Sequence, residues 1–122
     1  MLQFTSAEQR LRLCSLLARA RTNISDTRTL TFFYIVSAAE TLYVRVDAIY
    51  NFVYRCPDRS CLYSGVIECG TQEWALLFLA FALYDEDFPA DVSTVFSMFG
   101  NDTLEIALRA VHTRYSTAYP FI

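Results

Sequence analysis

The stretch from Trp74 to Tyr84 constrains the fold more than any other part of this chain. Its sequence, WALLFLAFALY, holds no charge, no strongly polar side chain, no Gly and no Pro. Eleven such residues are too few to cross a bilayer, which takes roughly 20. A helix that is apolar on every side must be covered all round. We therefore predict that residues 74–84 form the buried central helix of an all-α domain.

The composition supports one helical domain over residues 1–122. Of these residues, 54% are hydrophobic and 16% are aromatic, which is enough for a substantial core. The three Gly and three Pro favour long elements over a many-turned β-sandwich. Helix caps and apolar spacing predict a compact bundle of about six helices, with an irregular cysteine-containing loop at about 55–70. The helices are predicted at about 7–22, 27–37, 40–54, 72–84, 92–99 and 103–115.

The predictions of the second and third helices are each supported by one kind of sequence evidence. The second, from about Thr27 to Ser37, starts after the N-cap Asp26 but contains Thr and β-branched residues of weak helix propensity. We expect tertiary packing to hold this helix, and a strand is the alternative. The third, from Glu40 to about Tyr54, rests on apolar residues at i, i+3, i+4 and i+7, which are Leu42, Tyr43, Val46, Ile49, Tyr50 and Val53.

The charge excludes some classes of function. The net charge is −3, and all ten basic residues are Arg. A weakly acidic chain lacks the basic face of a nucleic-acid-binding protein, so we expect no direct sequence-specific nucleic-acid contact. The N-terminus lacks the apolar core of a secretory signal, and no segment is long enough to span a membrane. We expect a cytoplasmic protein whose four Cys are reduced or metal-bound, not disulfide-bonded.

The cysteine-containing loop predicts a structural zinc site. Cys56, Cys61 and Cys69 fall within fourteen residues, and Zn²⁺ prefers thiolate and imidazole ligands in a tetrahedron. His112 is the expected fourth ligand, with Cys14 in reserve. The spacing differs from the usual C-x2-C pattern, and buried or free thiols explain the same residues. Both interpretations stay open at this point.

An acidic run follows the apolar stretch and is the candidate partner-binding surface. Its members are Asp85, Glu86, Asp87 and Asp91. Their spacing does not match a calcium-binding loop. One interpretation is a solvated turn that also caps the next helix. The other is an acidic patch that faces a basic partner protein. The eight Tyr residues also suit a protein interface.

Longer segments of the chain resemble a small uncharacterised family found in Firmicutes genomes, prophages and other mobile elements. The resemblance rests on LTFFYIVSAAETLYVRVDAIYNF, the pair Cys61-Leu62, the triplet Ala90-Asp91-Val92 and LEIALRAVHTRY. It covers about Phe4 to Tyr115. The chain differs from that family pattern in Cys56 and in a longer cysteine loop.

That resemblance implies a function by kind and origin. Small acidic proteins of mobile elements often bind and disable host defence machinery, and the anti-CRISPR inhibitors of Cas9 are examples, some of them helical and zinc-containing. The leading hypothesis is therefore a non-enzymatic protein that inhibits a defence nuclease by docking on Cas9, with no catalytic residues. The alternatives are a small zinc- or thiol-dependent enzyme and a housekeeping helical interaction module. The sequence does not fix the oligomeric state.

Overall fold

A computed structural model describes residues 5–116 of the chain. Within that range the chain is mostly helical, as predicted, and forms one domain around one hydrophobic core. In chain order the elements are α1 (Ala7–Arg19), α2 (Thr27–Ala38), α3 (Glu40–Tyr43), α4 (Val46–Ile49), β1 (Tyr50–Asn51), β2 (Cys56–Pro57), a 3-10 turn (Arg59–Leu62), α5 (Thr71–Tyr84), α6 (Val92–Ser97) and α7 (Asn101–Tyr115). None of the described helices is both long and apolar enough to cross a membrane.

Residues 74–84 form a helix that is buried along most of its length, as predicted, but α2 is buried more completely and lies at the centre of the fold. Every residue of α2 from Thr29 to Ser37 is buried, and α1, α5 and α7 all pack against this helix. On α5, by contrast, an edge that includes Phe78 stays partly exposed. That edge is covered by the short α6 and by Phe88, whose ring lies 5.8 Å from that of Phe78. Three long helices, α1, α5 and α7, pack against α2, whereas only α6 and Phe88 cover this edge of α5. For this reason α2 is the more completely buried helix.

An aromatic cluster joins α2 to α5 and to the β1–β2 hairpin. The ring of Phe32 lies 5.3 Å from that of Phe81 in an edge-to-face arrangement. The ring of Phe33 lies 4.7 Å from that of Tyr50, which in turn lies 4.9 Å from that of Phe52. Edge-to-face pairs at these distances add to the free energy of burial. The cluster therefore fixes the hairpin to the central helix.

The predicted helix 40–54 is wrong as a continuous element. It is broken into α3, α4 and β1, and a turn follows. In a helix, residues 50 and 52 would point to nearly opposite sides, whereas in an extended chain they share one face. The extended form lets both Tyr50 and Phe52 contact Phe33. Val53, which the helical pattern would bury, is exposed instead.

The starts of α1 and α2 follow the caps that the sequence predicts. The hydroxyl oxygen of Ser6 accepts a hydrogen bond from the backbone N–H of Gln9 at 3.1 Å, and Asp26 accepts one from the backbone N–H of Thr29 at 3.2 Å. The Gln9 side-chain oxygen bonds the backbone N–H of Thr5, not that of Ser6 as a capping box requires. The caps still fix where both helices begin.

A contact at Gly100 ties the start of α7 to the start of α5. The backbone N–H of Gly100 donates to the side-chain oxygen of Gln72 at 2.9 Å, and the same oxygen accepts from the hydroxyl of Thr103. A Cβ atom at position 100 would lie 2.9 Å from that oxygen, which is closer than real side chains approach. A larger residue at this position would therefore have to displace the end of the Gln72 side chain.

Candidate protein-binding surface

The β1–β2 hairpin presents a turn whose backbone is held from within. The strands pair antiparallel, with Tyr50 opposite Pro57 and Asn51 opposite Cys56. The side-chain oxygen of Asn51 accepts hydrogen bonds from the backbone N–H groups at positions 53 and 54, both at 2.9 Å. Asn commonly fixes turns in this way. The four-residue loop 52–55 is therefore ordered by its own polar contacts.

Two hydrophobic side chains project from this turn. Val53 is 85% exposed and Tyr54 is 79% exposed; these two residues are called the hairpin tip below. Directly before them, the ring of Phe52 stacks on that of Phe33 at 6.0 Å, and the guanidinium of Arg19 lies 3.9 Å from the centre of the Phe52 ring. The hairpin tip is thus an apolar surface on an anchored support.

The last residue of the turn adopts an unusual backbone conformation. Arg55 has φ 57°, in the left-handed region that Gly, Asn and Asp adopt more readily. Strained backbone of this kind persists where the surrounding structure enforces it, and it is enriched at functional sites. Here it lets the chain leave the tip and enter β2.

A second exposed apolar segment lies in the same part of the chain. Tyr63 is 78% exposed and Val66 is also exposed, in the loop after the 3-10 turn. The backbone N–H of Asp58 donates to the carbonyl of Ile49 at 2.8 Å, so the start of the 3-10 turn is attached to the base of the hairpin. The side chain of Asp58 in turn accepts from the backbone N–H of Ser60. Hydrogen bonding by Ser60 lowers the pKa of Asp58.

Two of the four predicted partner-binding carboxylates pair with arginines of the same chain. Asp85 contacts Arg59, and Glu86 contacts Arg28 at 3.1 Å. The pKa of Asp85 is lowered by the backbone N–H of Asp87, which donates to its carboxylate, and by Arg59. The charge that this turn offers to a partner is accordingly reduced.

The other two carboxylates, Asp87 and Asp91, are exposed. Asp91 precedes α6, and its carboxylate accepts from the hydroxyl of Thr94 in the first turn of that helix. The acidic run thus forms the turn that leads into α6, although no side-chain hydrogen bond from Asp91 caps the backbone of that helix. Its use as a partner-binding patch stays a prediction.

The predicted zinc ligands occupy different environments. Cys56 is exposed on β2, Cys61 is buried in the 3-10 turn, Cys69 is half-buried before α5, and His112 is exposed on α7. Burial raises the pKa of the Cys61 thiol to about 11. Burial, with a smaller contribution from a nearby carboxylate, also raises the pKa of Cys69. Both shifts arise because removal from water disfavours the charged thiolate.

The described side chains do not gather these residues around one point. Between residues 5 and 116, no three His, Cys, Asp or Glu side chains are arranged so that they could hold a metal ion. The reserve ligand, Cys14, is exposed on α1. The structural zinc site stays a prediction, and the geometry of these residues gives it no support.

One family comparison identifies the chain. A family model described as a family of unknown function, DUF6075, matches residues 1–120. The chain belongs to the DUF6075 family. No curated protein and no solved structure matches it. Membership carries no established activity, so the function of this DUF6075 protein has to be argued from its own surface.

A cleft of about 270 Å³ lies on the described part of this DUF6075 protein. It is lined by residues from the junction of α2 and α3 and from α5 and α7, among them Glu40 and Glu73. Each of these carboxylates lies in the first turn of a helix, where a negative charge stabilises the helix dipole. The volume is at the lower limit for ligand pockets. The cleft therefore gives little support to the enzyme alternative.

Sequence reasoning missed the hairpin tip of this DUF6075 protein altogether. The apolar spacing that ends at Val53 is consistent with a helix, and this outweighed Asn51, which is typical of turns. The sequence signal that could have predicted the hairpin is the presence of strand-forming residues on both sides of position 51. This signal is ambiguous because each strand contains only two residues.

Proposed function

We propose that this protein is a non-catalytic binding protein that docks on a protein partner through its hairpin tip. The observation that supports this most strongly is the exposure of Val53 and Tyr54 side by side on an ordered turn. A buried Tyr at the centre of an interface is a frequent hot spot, since it offers a large contact area and a polar end. Because the turn is ordered before binding, little conformational entropy is lost on docking.

The anchoring of the turn strengthens this proposal. Phe52 is held between Phe33 and the guanidinium of Arg19, and Arg19 is itself paired with Asp47 at 2.5 Å. These contacts link the hairpin to α2, α1 and α4. A rigid support of this kind positions side chains more accurately than a free loop does.

The more specific hypothesis is that the partner is a host defence nuclease, with Cas9 as the first candidate. It rests on the resemblance to proteins of mobile elements. Cas9 holds its guide–target duplex in a positively charged channel, and a protein of net charge −3 is compatible with docking beside such a surface. In this hypothesis the protein inhibits by stable binding and carries out no chemistry.

The test is a binding measurement with purified Cas9, using biolayer interferometry, on the wild type and on Tyr54→Ala. We expect a stable stoichiometric complex, and a loss of affinity of about tenfold or more in the variant. Leu11→Ala is the control, since Leu11 is 71% exposed on α1 and belongs neither to the hairpin nor to the acidic run. Both variants should keep the wild-type melting temperature.

Three outcomes would count against these proposals. No complex with Cas9 would reject that partner. A complex that Tyr54→Ala and Leu11→Ala weaken equally would remove the hairpin tip from the interface. Inactivation of Cas9 by much less than one molar equivalent would indicate turnover and favour the enzyme alternative.

A further inference from the structure

The short helix α6 and the turn after it carry apolar side chains that the domain covers only in part. Val95, on the inner side of the helix, is buried, and the helix packs against α5. Val92 is 68% exposed and Met98 is 39% exposed, while Phe96 and Phe99 are half-buried. The residues Val92, Phe96, Met98 and Phe99 are called the α6 surface below.

The members of the α6 surface lie close to one another. Val92 and Phe96 are one helical turn apart and so lie on the same side of α6. The ring of Phe96 lies 5.3 Å from that of Phe99 in an edge-to-face arrangement. Met98 and Phe99 lead directly into Gly100, whose backbone N–H is held by a side chain at the start of α5. Single exposed hydrophobic residues need no explanation, whereas adjacent ones are typical of an interaction surface.

The part of the chain that contains the α6 surface carries charges of one sign. Between Arg59 and Arg109 the sequence contains no Arg, Lys or His. The carboxylates in that range are those of Glu68, Glu73, Asp85, Glu86, Asp87, Asp91, Asp102 and Glu105. Asp85, Glu86 and Glu105 pair with arginines that lie outside the range. The remaining carboxylates form no ion pair with any residue between positions 5 and 116.

Two of these unpaired carboxylates border the α6 surface. Asp91 directly precedes Val92, and Asp102 lies in the first turn of α7, shortly after Phe99. Both aspartates are exposed. The hydroxyl of Thr94 donates to the carboxylate of Asp91 and holds it beside α6. Because no arginine of the described chain pairs with either aspartate, both charges are available to a partner.

We propose that the α6 surface binds a cationic amphipathic segment of a partner protein. The apolar side chains of that segment lie against Val92, Phe96 and Met98, and its Lys or Arg residues lie beside Asp91 and Asp102. Unpaired carboxylates at the edge of an apolar surface attract a cationic partner and disfavour an acidic one. Methionine and aromatic side chains adapt well to the apolar face of an amphipathic segment.

This inference goes beyond the hairpin proposal and does not depend on it. The hairpin is fixed to α1 and α2 through Arg19 and Phe33, whereas α6 packs against α5. The inference also differs from the sequence prediction for the whole acidic run, because Asp85 and Glu86 are already paired with arginines. Only the carboxylates that stay unpaired beside apolar side chains enter the proposed site.

The first test is an NMR titration of the isotope-labelled full chain with a synthetic peptide. The peptide has about 14 residues, with Leu at i, i+3, i+4 and i+7 and Lys elsewhere. We expect the largest amide shifts within residues 91–102 and a dissociation constant on the order of 10–100 μM at low salt. A peptide with Glu in place of every Lys keeps the apolar face and should not bind. The proposal is overturned if the Lys peptide causes no shifts up to about 1 mM, if its largest shifts lie elsewhere, or if the Glu peptide binds equally well.

The second test separates local charge from net charge. The double variant Asp91→Asn/Asp102→Asn should weaken binding of the Lys peptide by about fivefold or more at low salt. The control Glu8→Gln/Asp47→Asn changes the net charge by the same amount, on α1 and α4, and should change the affinity less than about twofold. Equal losses in the two double variants would show that binding follows net charge and would overturn the proposed site.

The third test examines the apolar contact. Val92→Ser should weaken binding of the Lys peptide by about threefold or more. Leu11→Ser is the matched control, because Leu11 is 71% exposed on α1, and it should leave the affinity unchanged. Both variants should keep the wild-type melting temperature, since both side chains are exposed. Wild-type affinity in Val92→Ser would remove the α6 surface from the interface.

Discussion

The side-chain amide of Gln9 on α1 donates a hydrogen bond of 3.1 Å to the backbone carbonyl of Tyr34 on α2. Gln9 is buried, and its side-chain oxygen accepts from the backbone N–H and the hydroxyl of Thr5 at 2.7 and 2.9 Å. One amide therefore satisfies polar groups on two segments at once. Because a buried amide is costly unless it is bonded, this contact fixes how α1 lies on α2.

The first prediction follows from that contact. Gln9→Leu should lower the free energy of unfolding by about 1 kcal/mol, because it removes the buried hydrogen bond that joins α1 to the carbonyl of Tyr34. Urea unfolding followed by circular dichroism measures this. Arg10→Leu, at the exposed next position, should change stability by less than about 0.5 kcal/mol. Equal stability of Gln9→Leu and the wild type would contradict the structural role given to this amide.

The second prediction compares two buried threonines of α2. Among the described residues, the hydroxyl of Thr31 is buried without a hydrogen-bond partner, whereas that of Thr29 donates to the carboxylate of Asp26 at 2.7 Å. Thr31→Val keeps the shape of the side chain and should leave stability unchanged or raise it by up to about 1 kcal/mol. Thr29→Val should lower it by about 1 kcal/mol. The reverse order in thermal unfolding would show that Thr31 is the bonded residue.

The third prediction concerns the four thiols and decides the zinc question. In the folded protein, Cys14 and Cys56 should react quickly with a disulfide reagent, and buried Cys61 only after unfolding. Elemental analysis of the purified protein is the companion measurement. If one zinc is bound as predicted, Cys61→Ser should lose metal and stability together, and Cys14→Ser should keep the metal. Zinc-free protein with Cys56 freely reactive would reject the metal site.

The fourth prediction is a loss of stability in alkali. Burial raises the pKa of Cys61 from 9.0 to about 11, and that of Tyr50 from 10.0 to about 12. The unfolded chain releases these protons at lower pH than the folded protein. The free energy of unfolding should therefore hold up to about pH 8.5 and fall from about pH 9 to pH 12.

Denaturant titrations at stepped pH values test this, with Cys61→Ala as the comparison. Removing the thiol leaves the raised pKa values of Cys69 and Tyr50, so the variant should lose less free energy of unfolding between about pH 9 and pH 12 than the wild type does. Stability that is flat to pH 11 in the wild type would show that these side chains are accessible to solvent.

Local signals in the sequence were enough to predict the helical class and several helix starts. Ser6 and Asp26 bond the backbone three residues ahead, and α6 follows Asp91 as predicted. A cap acts within one helical turn, so its effect can be read without knowledge of the fold. Proline and glycine were also few enough to exclude a turn-rich β architecture.

The remaining features of the fold depend on contacts between residues that are far apart in the sequence. The sequence shows that Trp74–Tyr84 is apolar, but how fully it is covered depends on which other elements reach it, and α2 received the more complete cover. Likewise, Tyr50 and Phe52 both contact Phe33, which requires an extended chain at these two positions. The helix that the apolar spacing favoured therefore does not continue through them. Burial is a property of the packed whole, whereas a residue pattern records only what each side chain is suited to. For this reason the sequence determined the helical class, and the tertiary structure decided which helix is central and which residues the hairpin exposes.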